Sequence, residues 1–287
     1  MKISTQTDAA SAYFGERKAV ELIAGAGFDA WDFSMFGMTG YDYKTKTFSE
    51  TAHPLSGSNR LRFARELRHI GNECGIECNQ SHAPFPSIMP QIRDWLLRAI
   101  ECTAEAGGKI CVIHPDNNGS PEQNAEMYNE LLPFAKQCGV RIATENMWNW
   151  SRELGHSVFA ACATPESFNA HLDAVNDDYL VACLDIGHAE MLGSDTCAVE
   201  MVEKLGPRLQ ALHIHDNDKL NDSHQLPFSM SIDFPPIINA LKKVGYPGFF
   251  TLECDNYISS HRGERIAEDL RDMRSAAKRL AEMFENL

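Results

Sequence analysis

Along this chain, short apolar runs alternate with longer stretches in which apolar positions recur every three or four residues. The short runs predict strands over Lys2–Gln6, Ala30–Phe33, Gly75–Gln80, Ile110–His114, Arg141–Glu145, Val181–Asp185, Ala211–His215 and Phe249–Glu253. Several are apolar almost throughout, the pattern of strands covered on both faces in a parallel sheet. The helical spacing predicts helices over Ala12–Ala26, Ser58–Cys74, Pro90–Ala106, Pro121–Cys138, Thr164–Val175, Thr196–Leu205, Pro235–Val244 and Arg262–Glu285. Thr164-Pro165-Glu166 reads as a cap followed by proline at the first helical position. Gly25, Gly27, Gly75, Gly107, Gly139, Gly206 and Gly245 fall where a helix hands over to a strand, the place glycine favours.

Strands and helices therefore alternate strictly. That order predicts parallel strands joined by right-handed crossovers. Eight such units in 287 residues predict an α/β fold, a single (β/α)8 barrel spanning residues 1–287, with an open doubly wound sheet as the alternative. No linker-like stretch divides the chain. Phe36–Gly57 is the longest loop and belongs to the end of the barrel where strands finish. No glycine-rich nucleotide motif is present.

Composition narrows the partners. An apolar fraction of 44% suits a full core. A net charge of −14 argues against nucleic acid, whose binders usually show a basic face. The nine cysteines are scattered, odd in number and without a CxxC pair, as expected of core thiols in a reducing compartment. No apolar run approaches the roughly 20 residues of a membrane span. A cytoplasmic protein without membrane attachment is expected, and a homo-oligomer is compatible with the composition.

The strand ends carry the candidate chemistry, because polar residues there face the mouth of such a barrel. Strand three runs into Ser81-His82-Ala83-Pro84 and strand four into His114-Pro115-Asp116. Strand five ends at Glu145-Asn146, strand six at Asp185-Ile186-Gly187-His188, strand seven at His213-Ile214-His215-Asp216 and strand eight at Glu253-Cys254-Asp255. Apolar strands have no need to finish in ionisable groups, which are costly to bury unpaired. A cation is the natural way to hold Glu145, Asp185, His213 and Glu253 together. Three carboxylates and one imidazole suit Mn²⁺, Co²⁺, Zn²⁺ or Mg²⁺, one ion per chain. Taken singly, Glu145 or Glu253 reads equally as an ordinary rim carboxylate, and His82 or His114 as a structural imidazole.

Ala143-Thr144-Glu145-Asn146, Leu184-Asp185-Ile186-Gly187-His188, Leu212-His213-Ile214-His215-Asp216-Asn217-Asp218 and Thr251-Leu252-Glu253, with Ser81-His82-Ala83-Pro84-Phe85, resemble the xylose isomerase-like TIM-barrel superfamily of sugar phosphate isomerases and epimerases, in particular its ketose 3-epimerase and hexulose-phosphate epimerase types. The resemblance implies a metal held by Glu145, Asp185, His213 and Glu253. It implies Glu145 and Glu253 as the acid–base pair, and His188 as a substrate contact. The substrate implied is a small sugar or sugar phosphate. His82, His114, Trp148 and His224 join His188 as candidate substrate contacts. Trp148 and Trp150 could stack on a sugar face, and His224, Lys219 and Arg262 could receive a phosphate. The chain departs from the family's glycine-rich stretch at Leu226-Pro227-Phe228-Ser229-Met230-Ser231, where Phe228 and Met230 could form an apolar wall.

The same superfamily contains apurinic-site endonucleases with three zinc ions. This chain offers their ligand types in order, as His82, His114, Glu145, Asp185, His188, His213, Asp222, His224 and Glu253. The acidic charge and the few Lys and Arg in the strand-end loops speak against that activity. A metal-dependent dehydratase of a polyhydroxy acid and a non-catalytic sugar-binding barrel complete the alternatives.

Overall fold

The computed structural model describes all residues, Met1–Leu287. Eight parallel strands form the barrel: β1 (Ile3–Gln6), β2 (Ala30–Ser34), β3 (Glu77–His82), β4 (Ile110–Val112), β5 (Arg141–Glu145), β6 (Leu180–Asp185), β7 (Leu209–His213) and β8 (Phe250–Leu252). From β1 to β7 each strand pairs with the next, and β8 pairs with β1. The ring closes between β7 and β8 through a parallel bridge of Ile214 with Leu252. There Ile214 N–H donates to Thr251 O at 2.9 Å, and Glu253 N–H to Ile214 O at 3.0 Å. This is the expected TIM barrel.

Alternation along the strands sorts side chains into two layers. In β6, Leu180, Ala182 and Leu184 face outward into the main apolar layer beneath the helices. Val181 and Cys183 face inward and meet Val112, Ala143 and Ala211 in a small apolar cluster. The opposite side of the interior is polar. Ser4, Gln6, Asp32, Gln80 and Thr251 are buried there, linked by bonds such as Gln80 Nε2 to Asp32 Oδ2 at 3.0 Å.

The helices are α1 (Asp8–Phe14), α2 (Glu16–Ala26), α3 (Arg60–Glu73), α4 (Arg93–Ala106), α5 (Pro121–Cys138), α6 (Pro165–Val175), α7 (Ile186–Ala189), α8 (Ala198–Leu205), α9 (Phe234–Lys243), α10 (Asp255–Ser260) and α11 (Ile266–Glu285). Thr164 caps α6 as expected, its side chain accepting from Ser167 N–H at 3.2 Å. Tyr128 of α5 reaches the strand ends, its hydroxyl bonding to Ile113 O at 3.0 Å and Thr144 Oγ1 at 2.8 Å. It thereby steadies the backbone beside Glu145.

The structure corrects several expectations. The single helix over Ala12–Ala26 is two, broken at Gly15, whose φ of 76° lies where other residues are strained. Gly25 lies inside α2, and Gly27 ends it. The last helix begins at Ile266, because Asp255–Ser260 forms a separate turn of helix first. β3 lies two residues later than expected, and β7 two residues earlier. β4 stops at Val112, so His114 sits beyond the strand rather than on it. The loop after β2 contains an antiparallel hairpin, Thr39–Asp42 with Thr47–Glu50, and a second unexpected hairpin pairs Asn149–Ser151 with His156–Val158.

Candidate active site

Glu145 and Asp185 end β5 and β6, His213 ends β7, and Glu253 follows β8 by one residue. All four side chains are buried, and one ligand atom from each lies within 4.8 Å of the others. His213 stands at the centre. Its Nδ1 is 2.8 Å from Glu145 Oε1 and 3.2 Å from Glu253 Oε2, and its Nε2 is 3.2 Å from Asp32 Oδ2. Gln6 Nε2 donates to Glu253 Oε1 at 2.8 Å from the barrel interior. Asn146 ties β5 to β6, donating to Asp185 O at 2.9 Å and accepting from Asp185 N–H at 2.8 Å.

The other sequence-picked residues surround this group. His114 Nε2 and His82 Nε2 approach Glu145 Oε2 to 3.2 and 3.6 Å. On the far side, Asp185 Oδ1 accepts from His188 N–H at 2.7 Å and lies 3.2 Å from His215 Nε2. His188 Nε2 and His224 Nε2 bracket Asp222 Oδ2 at 3.3 and 3.2 Å, and Trp148 Nε1 donates to the same oxygen at 3.3 Å. The nine residues thus gather into three adjoining groups: His82, His114 and Glu145; Glu145, Asp185, His213 and Glu253; and His188, Asp222 and His224 with His215.

A cavity of about 530 Å³ opens above them, bordered by His82, His114, Glu145, Trp148, His188, His224 and Glu253. Trp148 borders it and Trp150 does not. Neither Lys219, 3.3 Å from Glu190, nor Arg262 reaches it. Phe228 is no cavity wall either. Its ring packs against Phe234 and lies 3.7 Å beneath the Arg279 guanidinium. The altered loop is instead held by Asp216, which accepts from Met230 N–H at 2.8 Å and Ile232 N–H at 3.0 Å. Asp8, Phe36, Phe85, Asn117, Met147, Asp222 and Asp255 complete the lining. Of these, the sequence alone gives a candidate role only to Asp222, as a zinc ligand, and places Asp255 at the end of strand eight without one.

The charges are strongly coupled. Burial opposes ionisation of Glu145, yet His213, His114 and His82 hold its carboxyl well below the usual carboxylate range. Burial is likewise outweighed at Asp185, where His188 and His215 bring the pKa down to about 2. Burial opposes the charged form of His213, but Cys183, Glu253, Glu145 and Asp32 raise its pKa well above that of a free imidazole. Asp255, which also borders the cavity, is pushed up to about 8 by burial and by the neighbouring charges of Asp8 and Glu253.

Gly187 shows how tight the floor is. A Cβ there would stand 1.9 Å from His215 Cε1. Gly187→Ala is therefore expected to displace the imidazole or strain the turn after Asp185, at about 1–3 kcal/mol. Thermal unfolding checks this, with a loss of about 3–10 °C expected; an unchanged midpoint would show that the floor yields freely.

Residues 20–276 match the sequence family described as Xylose isomerase-like TIM barrel. The chain belongs to that family. Among curated relatives, this xylose isomerase-like protein is 27% identical over 269 residues to an uncharacterized protein of Methanocaldococcus jannaschii, covering 88% of this chain and 83% of the relative. An inosose dehydratase of Yersinia enterocolitica is 27% identical over 150 residues, covering 46% of each. Among solved structures, a D-tagatose 3-epimerase-like protein superposes with a TM-score of 0.75 at 23% identity, covering 100% of this chain and 99% of the other. A D-psicose 3-epimerase gives 0.71 at 16% identity, covering 99% of each. At these identities the structural likeness is one of fold. No helix of the barrel is long and apolar enough to cross a membrane.

Proposed function

We propose that this protein is a divalent-metal-dependent epimerase or isomerase of a small sugar, in which Glu145 and Glu253 exchange a proton with the carbon beside a ketone. The observation that carries the reading is the convergence of Glu145, Asp185, His213 and Glu253 at the floor of a cavity bordered by both glutamates.

The residues fit a cation. Asp185 Oδ2 and Glu145 Oε2 are buried without a hydrogen-bond partner, a costly arrangement that an ion would relieve. The donors are carboxylate oxygens and an imidazole nitrogen, as Mn²⁺, Co²⁺, Zn²⁺ or Mg²⁺ prefers. Asp32 and Gln80 support the histidine from below. A proton kept on Nε2 of His213 by Asp32 leaves Nδ1 free as a ligand. When bound, the cation supplies a Lewis acid that stabilises the oxyanion formed as the carbon loses its proton.

The chain's own groups supply the rest. Glu145 and Glu253 approach His213 Nδ1 from different strands and both border the cavity. One can take a proton from the substrate carbon while the other returns one. Gln6 fixes one oxygen of Glu253 and leaves the other to the cavity side. His82, His114, His188, His224 and Trp148 border the space for the substrate's remaining hydroxyls. Delivery to the opposite face gives an epimer, and delivery to the adjacent carbon gives an aldose.

The test is incubation with Mn²⁺ and a panel of ketoses in deuterated water. Deuterium at a carbinol carbon is the expected result, and no incorporation into any ketose would reject the reading.

Two other readings each have an observation behind them. The grouping of nine metal-ligand types into three adjoining sets supports a hydrolase with up to three metal ions, like the apurinic-site endonucleases. Three ions per chain and nicking of abasic DNA would establish it, although no Lys or Arg borders the cavity to meet a DNA backbone. The partial similarity to an inosose dehydratase supports loss of water from a polyhydroxy ketone through a similar proton abstraction. A dehydrated product alongside deuterium uptake would favour it.

A further inference from the structure

The cavity above Glu145 and Glu253 does not end at its outer wall. Phe85, His114, Asn117 and Met147 also border a second cavity of about 360 Å³, which continues over Ile88 and Asn149 to the rim. Each space alone is within the size range of small-ligand sites, roughly 300–1,000 Å³. Resting on the epimerase reading, we infer that the substrate is an uncharged saccharide of at least two units. Its ketose unit occupies the inner cavity and its second unit lies in the outer one, against Phe85, Ile88 and the amides of Asn117, Asn118 and Asn149.

The lining of the outer space has the chemistry of a sugar subsite. Phe85 and Ile88 are 43% and 53% exposed, so an aromatic face and an aliphatic one are presented to the C–H surface of a ring. The three asparagines hold one another. Asn117 Nδ2 donates to Asn149 Oδ1 at 3.3 Å and to Trp148 O at 2.9 Å, and Asn149 Nδ2 donates to Asn118 Oδ1 at 3.1 Å and to Phe159 O at 3.0 Å. These bonds fix the amide planes while Asn117 Oδ1 and Asn118 Nδ2 stay unengaged, one acceptor and one donor for sugar hydroxyls. A second polar–apolar subsite has no use for a substrate that ends at the first ring.

The same linings favour an uncharged group over a phosphate at the outer end. No lysine or arginine borders either cavity, whereas Asp8, Asp255 and Asp116 do. A ketose phosphate bound through its carbonyl end puts the phosphate at the far end of the molecule, away from any bound cation. The outer space offers amides, apolar side chains, Asp116 and the single imidazole of His114. Phosphate sites are usually built from cationic forks or helix N-termini.

Calorimetric binding to the Mn²⁺-loaded protein decides the matter, with D-fructose, D-fructose 6-phosphate and two disaccharides with a free ketose end, lactulose and isomaltulose. The better disaccharide is expected to bind at least tenfold more tightly than fructose, and the phosphate more weakly than fructose. Ile88→Trp, which fills the outer space, should erase most of the disaccharide's advantage. Asn118→Ala at an exposed position should reduce it without threatening the fold. Fructose binding as well as either disaccharide, tighter binding of the phosphate, an advantage that survives both substitutions, or no disaccharide binding would each overturn the inference. Deuterium exchange run in parallel separates the two levels. Exchange on fructose with no disaccharide preference sinks only the outer subsite. Disaccharide preference with no exchange on any ketose sinks only the epimerase reading.

Discussion

Replacing Glu253 by glutamine is expected to remove deuterium exchange from the one epimer whose proton it takes, with kcat for epimerisation falling about 10²–10⁴-fold at saturating Mn²⁺. Glutamine keeps the volume, so the bond from Gln6 Nε2 to Oε1 has an acceptor still, and the contact at 3.2 Å with His213 changes little in shape. What disappears is the basic oxygen facing the cavity. Metal content measured on the same sample separates a lost base from a lost ligand, since a carboxamide oxygen is the weaker donor. Glu145→Gln provides the companion result. If the two glutamates serve opposite faces, both variants lose epimerisation, yet each retains wash-in of deuterium from one of the two epimers. Exchange from both epimers within a few-fold of the parent protein in Glu253→Gln would remove that residue from its assigned role.

The second large effect is on stability. Without a cation, the floor of the cavity gathers Asp185, Glu145 and Glu253 about His213, and two buried carboxylate oxygens lack a hydrogen bond. A ligand that binds only the folded chain stabilises it by about 2.7 kcal/mol at one hundred times its dissociation constant. For a chain of this size, each kcal/mol is worth roughly 2–4 °C in the unfolding midpoint. Saturating Mn²⁺ or Co²⁺ should therefore raise the midpoint by about 5–11 °C, and a chelator should reverse the rise. Asp185→Ala should abolish most of the shift and also lower the metal-free midpoint, because the buried carboxylate accepts from His188 N–H at 2.7 Å and lies 3.2 Å from His215 Nε2; the metal effect is therefore read against the variant's own metal-free midpoint. A midpoint indifferent to all four candidate cations would refute the metal site, whatever the enzyme does.

How much could be read in advance followed from how each residue is placed. Glu145, Asp185 and His213 were legible because apolar strands ending in ionisable groups are anomalous, and the structure brings them to one point. Glu253 was legible for the same reason although β8 stops one residue short of it. Asp8 was not, and Asp255 stood out only as part of the ending of strand eight, with no role of its own. Each is the first residue of a helix, where an acid is ordinary, and only barrel closure turns both toward the cavity. Asp32 was hidden inside a strand, where alternation alone could not say that its neighbours across the barrel would be Gln80 and His213. The break at Gly15 was invisible because apolar spacing continues on both sides of it. The hairpin over Asn149–Val158 was missed because its strands are only three residues long and carry no clear alternation.

The ring of strands has one joint unlike the others. β7 and β8 meet through the two hydrogen bonds that Ile214 makes with Thr251 and Glu253, where other neighbours share a longer ladder. His213 and Glu253 stand on the two sides of that joint. A cation shared by them would act as a clasp across the cylinder's least-laced edge. The amides of Ile214 and Glu253 would then register whether the clasp is fastened. Loading the site would brace the edge at which the ring already closes, so the stiffness of the cylinder and the occupancy of the site would rise together.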